Sequence, residues 1–267
     1  MRIHVVDAFT DRPFAGNPAA VCVLAEPAEP GWMQRVAMEM NLSETAFPRP
    51  ADAPDADFEL RWFTPKVEVA LCGHATLASA HVLYETGAVP AGRPIRFRTL
   101  RSGVLTVRRD GGLLAMDFPA CPPDKADAPE GLAEALGATP SWTGRNIQND
   151  VLAVLDDAAT VRSLAPDLSA LAGIDARGIC VTAAGTDHDF VSRFFGPAVG
   201  IPEDPVTGSA HCMLAPFWAE RLGRTRMRAH QASARGGDVD VTVEGDRVIL
   251  RGSAVTVLEG TLRAEPS

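Results

Sequence analysis

No Cys-x-x-Cys pair occurs anywhere in this sequence. That excludes a zinc ribbon and a thioredoxin-type redox site. The five cysteines, Cys22, Cys72, Cys121, Cys180 and Cys212, are odd in number and widely spaced. Such usage fits a reducing cytoplasm better than a disulfide framework. Runs of Lys and Arg are also missing, and the formal net charge is −9, from 25 basic and 34 acidic side chains. Nucleic acid and anionic membrane are therefore not expected partners. No apolar stretch of about 18 residues exists to span a bilayer, and "MRIHVVDAFTDRPF" lacks the apolar core of a signal peptide. Absent too are a Gly-x-Gly-x-x-Gly after a strand, a P-loop, a His-Glu-x-x-His and a Gly-x-Ser-x-Gly elbow. Nothing in the chain asks for a nucleotide, a metal or a serine triad, and the chemistry expected needs no cofactor.

What is present is ordinary globular material. The chain has 267 residues, 46% hydrophobic and 22% charged, enough for one large domain or two of about 130 residues. "RIHVVDAF", "AAVCVLA", "ETAFPRP" and "FELRWFTP" read as strands, with an amphipathic helix in "PGWMQRVAMEMN". A helix is expected from His74 to about Glu85, with Gly87 at its C-terminal end. "CPPDKADAP", from Cys121 to Pro129, is rich in Pro and Asp and reads as a linker. It divides the chain into domains at residues 1–122 and 123–267, with the last strand a candidate to cross back. The second part continues with a short helix in "EGLAEALG", a strand in "DVLAVLD", one helix over 158–173, two strands, and a helix from Ser209 to about Leu222. Pro216 lies about two turns into that last helix, where it should kink the helix or interrupt its hydrogen-bond ladder.

Two stretches repeat. "RWFTP" (61–65) and "RFFGP" (193–197) lie 132 residues apart, as do Asn17 and Asn149. Gly73 and Gly208 lie 135 apart, so the second loop carries three extra residues. Each loop ends in Gly, a polar residue and Ala before an apolar helix. The chain thus reads as two pseudo-repeated halves with equivalent helix starts. The first turn of a helix has unpaired N–H groups and partial positive charge, so such starts hold carboxylates without Lys or Arg. One start offers Cys72 and His74; the other offers Asp204, Thr207 and Ser209. "NLSETAF" supplies Glu44, a carboxylate directly before a strand, suited to moving a proton next to a carbonyl or carboxylate.

"DAFTDRPFAGNPAAV", "NLSETAF", "CGHATLASAH" and "EDPVTGSAH" together resemble the signature stretches of the phenazine-biosynthesis isomerase (PhzF-like) family, within the diaminopimelate epimerase superfamily. The resemblance runs over essentially the whole chain. It implies an α+β fold of two similar domains, each a curved, mostly antiparallel sheet wrapped around a central helix, with the active site between them. It also implies a cytoplasmic homodimer that takes a small carboxylate. Carried over residue by residue, the family's acid/base carboxylate falls on Glu44, its histidine on His74, and its Asp and Ser on Asp204 and Ser209. The catalytic set is then Glu44, His74 and Asp204. Asn17, Cys72, Gly73, Thr207, Gly208 and Ser209 are substrate-binding. In racemases of the superfamily two cysteines act; Cys72 matches the first, while the second falls on Thr207, a poor base. Two alternatives stay open: a Cys72-dependent epimerase or dehydratase of an amino or hydroxy acid, and a non-catalytic small-acid binding protein.

Overall fold

Buried residues crowd one end of Arg2–Ala8, and this first strand, β1, doubles back into β2 (Asn17–Val21). The computed structural model describes residues 1–266. Helix α1 (Pro30–Met40) begins with Pro in its first turn, where the missing N–H costs nothing. It ends where Asn41 adopts a left-handed conformation and donates its N–H to the Ala37 carbonyl. β3 (Glu44–Pro50), β4 (Phe58–Phe63) and the two-residue β5 (Glu68–Val69) follow, then helix α2 (Gly73–Glu85). β6 (Ile95–Arg98), β7 (Val104–Asp110) and β8 (Leu113–Pro119) complete this half.

The chain then forms β9 (Asp124–Lys125), α3 (Leu132–Leu136), β10 (Trp142–Arg145), β11 (Asp150–Val154), α4 (Ala158–Ser163) and α5 (Leu168–Ala172). After these come β12 (Gly178–Ala184), β13 (Phe190–Gly196), β14 (Ile201–Asp204), helix α6 (Gly208–Leu222), β15 (Arg226–Gln231), β16 (Gly237–Glu244) and β17 (Arg247–Gly252). β18 (Ala254–Thr261) pairs antiparallel with β1. Contacts divide the molecule into two compact units: residues 1–117 with the segment from Arg251 onward, and Phe118–Leu250.

The two units share one pairing scheme. β1–β2 is antiparallel, β2–β3 parallel, β3–β4 and β4–β5 antiparallel, β4–β6 parallel and β6–β7 antiparallel. The second unit repeats this order in β10–β11, β11–β12, β12–β13, β13–β14, β13–β15 and β15–β16. In each, one mostly buried helix forms the centre. α2 buries His74 to Ala80 and Val82 to Tyr84, and α6 buries residues on nearly every side. A helix apolar all round belongs inside. Burying Leu77, Val82 and Leu83 fully stabilises by roughly 1.5–3 kcal/mol each. The polar residues of α2 are satisfied locally: Thr76 and Ser79 donate their hydroxyls to the carbonyls of Cys72 and Ala75.

The repeat extends to side chains. Arg61 donates Nε and Nη2 to the two carboxylate oxygens of Glu68, at 2.7 and 2.8 Å, and its guanidinium lies 5.3 Å from the Phe63 ring centroid. Arg193 does the same to Glu203, at 2.7 and 2.9 Å, 4.9 Å from the Phe195 ring. The pairs are separated by 7 and 10 residues, the same difference of three that separates the two loops. The second loop holds a 3-10 turn, Pro197–Val199, that takes up the extra length. Each clamp fastens the hairpin that leads to a central helix. Because a planar bidentate pair is not reproduced by an ammonium, Arg61→Lys and Arg193→Lys are each expected to lose about 1–2 kcal/mol in urea unfolding. A large loss in one and none in the other would contradict their equivalence.

Two sequence expectations change. The helix expected over 158–173 is two short helices, because Pro166 cannot continue the first and Asp167 caps the second, accepting from the Ser169 and Ala170 N–H groups. "CPPDKADAP" is not a free linker: Asp124–Lys125 pairs with β10, and the Cys121 N–H donates to the Cys212 carbonyl at 3.0 Å. That last bond also accounts for Pro216. Proline removes the N–H that would have bonded Cys212, four residues earlier, and the Cys121 amide takes the vacated acceptor. Helix α6 therefore runs through Pro216 as one element.

Candidate active site

β3 begins on Glu44, and its register sets Ala19 of β2 opposite Glu44 and Thr45 opposite Phe63 at the end of β4. The chain leaves β4, turns through β5, and reaches α2 ten residues after Phe63. The start of β3 and the start of α2 thus fall at the same end of the first unit. Glu44 and His74 are both buried, and His74 Nε2 stands 3.1 Å from Glu44 Oε2. The other ring nitrogen, Nδ1, lies 3.5 Å from the Cys72 sulfur. One imidazole therefore bridges a carboxylate and a thiol. Asn17, fully buried, sits two residues before Ala19 on β2, and alternation puts it on the same strand face.

Burial by itself would push the His74 pKa down. The Cys72 sulfur and the Glu44 carboxylate act against that, by charge and by hydrogen bonding, and hold it well above the ordinary imidazole value. As an imidazolium, His74 donates from both nitrogens, which suits both partners. Cys72 is raised as well: burial, and then the nearby Glu44 charge, push its thiol up to about 11. Glu44, Cys72 and His74 place one ligand atom each within 4.8 Å of one another, a set that zinc accepts. Two of those three atoms carry protons, however, and a metal would have to displace both.

In the second unit, Thr207 is the N-terminal flanking residue of α6 and is locked from two sides. Its hydroxyl donates to Asp204 Oδ2 at 2.6 Å, and its N–H donates to Gln231 Oε1 at 2.8 Å. Gln231 in turn donates to the Asp204 carbonyl and the Thr207 hydroxyl oxygen. Ser209 Oγ accepts from Arg177 Nη2 at 3.1 Å. The same guanidinium group pairs with Asp150, whose side chain is fully buried, at 2.5 Å. Asp204, Thr207, Gly208 and Ser209 are therefore grouped at one helix start, and Glu44, Cys72, Gly73 and His74 at the other.

Arg177, Asp150 and Gln231 escaped the sequence reading. They come from strands or strand ends 24 to 59 residues from the α6 start they support, and no local spacing marks them. His211, one turn into α6, is structural: its Nδ1 hydrogen-bonds the Thr207 carbonyl at 2.8 Å. Burial lowers its pKa to about 4. An unfolded imidazole takes its proton near 6.5, so between those values the unfolded chain holds more protons than the folded one. The contribution is complete above pH 6.5 and is lost as pH falls toward 4, by about 3 kcal/mol. His211→Gln is expected to flatten the acid limb of stability against pH; an unchanged limb would remove His211 as its source.

The chain matches the phenazine biosynthesis-like (PhzC-PhzF) family model over residues 6–260. It belongs to this family. A Pseudomonas aeruginosa protein described as an uncharacterized isomerase is 52% identical over 262 residues, covering 98% of each chain. A second so described, from Halalkalibacterium halodurans, is 50% identical and covers 97% of each. The crystal structure of a PhzF family protein from Enterococcus faecalis superposes with a TM-score of 0.91 at 41% identity, over 97% of each chain. The α+β fold of two like domains, each with a sheet around a central helix, is that of this family, and its architecture is diaminopimelate epimerase-like. No helix among the described residues is long and apolar enough to cross a membrane.

Proposed function

We propose that this chain is a cofactor-independent isomerase that moves a proton within a small carboxylic acid, with Glu44 as the general acid/base. Family membership and relatives described as isomerases support the class of reaction. The observation that carries the residue assignment is the buried Glu44–His74 contact of 3.1 Å. A general base must hold its proton position without solvent competition, and an imidazolium clamped on one carboxylate oxygen orients the other. His74 is the orienting donor. Cys72 stands beside Glu44 and His74, its thiol pushed up to about 11 by burial and by the nearby Glu44 charge. This weighs against the Cys72-dependent epimerase or dehydratase, which needs a thiolate.

We assign Gly73, Gly208, Ser209, Thr207 and Asn17, with Cys72, to substrate binding, and Asp204 as the second proton-handling group. A homodimer is part of this reading, and sedimentation of the purified protein checks it. The functional test is an NMR screen of small unsaturated and cyclic carboxylic acids. Wild type is expected to convert at least one to a positional isomer, and Glu44→Gln to bind the same acid, seen as thermal stabilisation, without converting it. Stabilisation by acids with no conversion in either protein would support the binding-protein alternative instead.

A further inference from the structure

The second unit contains a cluster that the proposed reaction does not use. His230 on β15 and Asp238 on β16 are cross-strand partners, and His230 Nδ1 lies 2.6 Å from Asp238 Oδ1. His188 arrives from the turn between β12 and β13, its Nε2 3.1 Å from the same oxygen. The two imidazole rings stand 5.1 Å apart at 36°. One ligand atom from each of the three residues falls within 4.8 Å of the others. Asp238 is half-exposed, so the cluster opens to solvent.

The backbone around it is built to hold it. In the His188 turn, Gly185 donates its N–H to the Asp189 carbonyl, and a Cβ on Gly185 would sit 2.3 Å from the His188 carbonyl oxygen. Asp189 is pinned to β15 in both directions: its N–H donates to the Arg228 carbonyl at 2.8 Å, and its carboxylate accepts the Arg228 N–H at 2.6 Å. Gly236 has a φ of +64°, and a Cβ there would press on the His230 ring at 3.2 Å. Both ring nitrogens of His188 are shielded from solvent, and neither completes a hydrogen bond, despite the short approach of Nε2 to Asp238. A shielded, unsatisfied imidazole asks for a partner such as an ion or water.

We infer that His188, His230 and Asp238 form a binding site for one divalent transition-metal ion of the zinc class. Two imidazole nitrogens and one carboxylate oxygen are the donor types such ions take, with water completing the shell. Tetrahedral zinc with bonds near 2.0 Å sets its ligands about 3.3 Å apart, and His230 Nδ1 and His188 Nε2 lie 2.6 and 3.1 Å from Asp238 Oδ1, so small side-chain shifts reach that spacing. The ion ties the 185–189 turn to the β15–β16 hairpin. The site is separate from the Glu44, Cys72 and His74 cluster and does not depend on the function proposed for it.

Tag-free protein titrated with zinc chloride by calorimetry is expected to show one site per chain. His188→Ala and Asp238→Asn are each expected to weaken it at least about tenfold, in line with the loss of one metal ligand, while Cys72→Ala leaves it intact. Cobalt(II) substitution gives a second readout: wild-type absorption bands of a nitrogen–oxygen site, with no thiolate charge transfer. Circular dichroism melts of each variant without metal establish that it is folded. Binding that survives His188→Ala and Asp238→Asn but disappears in Cys72→Ala overturns the assignment, as does the lack of any saturable zinc site in folded wild type.

Discussion

Glu44→Gln will leave a folded protein whose turnover is about 100- to 10,000-fold slower, the range expected for removal of a positioned acid/base group. The amide keeps the shape of the side chain and accepts from His74 Nε2, so substrate binding is expected to change far less than kcat. The pH profile carries further information. The His74 pKa is raised in the folded state, so its stabilising charge is fully present below pH 6.5 and is lost as pH rises through the raised value. In wild type, stability is therefore expected to fall on the alkaline side as His74 deprotonates. In Glu44→Gln that fall starts at the same pH but is smaller and ends at lower pH, because a raising charge is gone. Equal kcat in the two proteins would remove Glu44 from the chemistry, whatever the pH behaviour.

Arg177→Met is expected to be the most damaging single change in the second unit. Asp150 is fully exposed to neither water nor a second cation: its side chain has 0% accessibility and its charge is met by Arg177, with Asn146 donating to the same oxygen at 3.2 Å. Removing Arg177, itself partly exposed, strands the buried Asp150 carboxylate, at a cost of up to about 3 kcal/mol. The double variant Asp150→Asn/Arg177→Met, which leaves no stranded charge, is expected to recover most of that loss. Urea unfolding of the two single variants and the double closes the cycle. A loss under about 1 kcal/mol in Arg177→Met would mean that the pair is effectively solvated. Arg177→Met also frees Ser209 Oγ from its donor. If Ser209 receives the substrate carboxylate, KM rises more than kcat falls.

Much of this was legible in the sequence, for a physical reason. Glycine followed by a polar residue and an apolar helix is a local pattern, and it occurs twice, so the starts of α2 and α6 stand out. The Arg-aromatic-Phe-x-Pro stretches mark one half of each ionic clamp. Glu68 and Glu203, the other halves, lie in β5 and β14 at different distances from their arginines, which conceals them until the three-residue offset is applied. Arg177 and Asp150 could not be found this way, because strand pairing alone brings them to Ser209. Two local patterns misled. "AATVRSLAPDLSALAG" has helical periodicity on both sides of a proline, and the Asp167 cap restarts the helix rather than ending it. "CPPDKADAP" has a linker's composition, but its first amide supplies the bond that Pro216 takes from α6.

The proton itself gives the most direct test. A substrate from the acid screen, incubated with enzyme in D₂O, should take up solvent deuterium at one carbon with wild type and with Cys72→Ala, and show none above background with Glu44→Gln. Uptake that persists in Glu44→Gln and vanishes in Cys72→Ala would make the thiol the base, and the carboxylate–imidazolium pair a structural support.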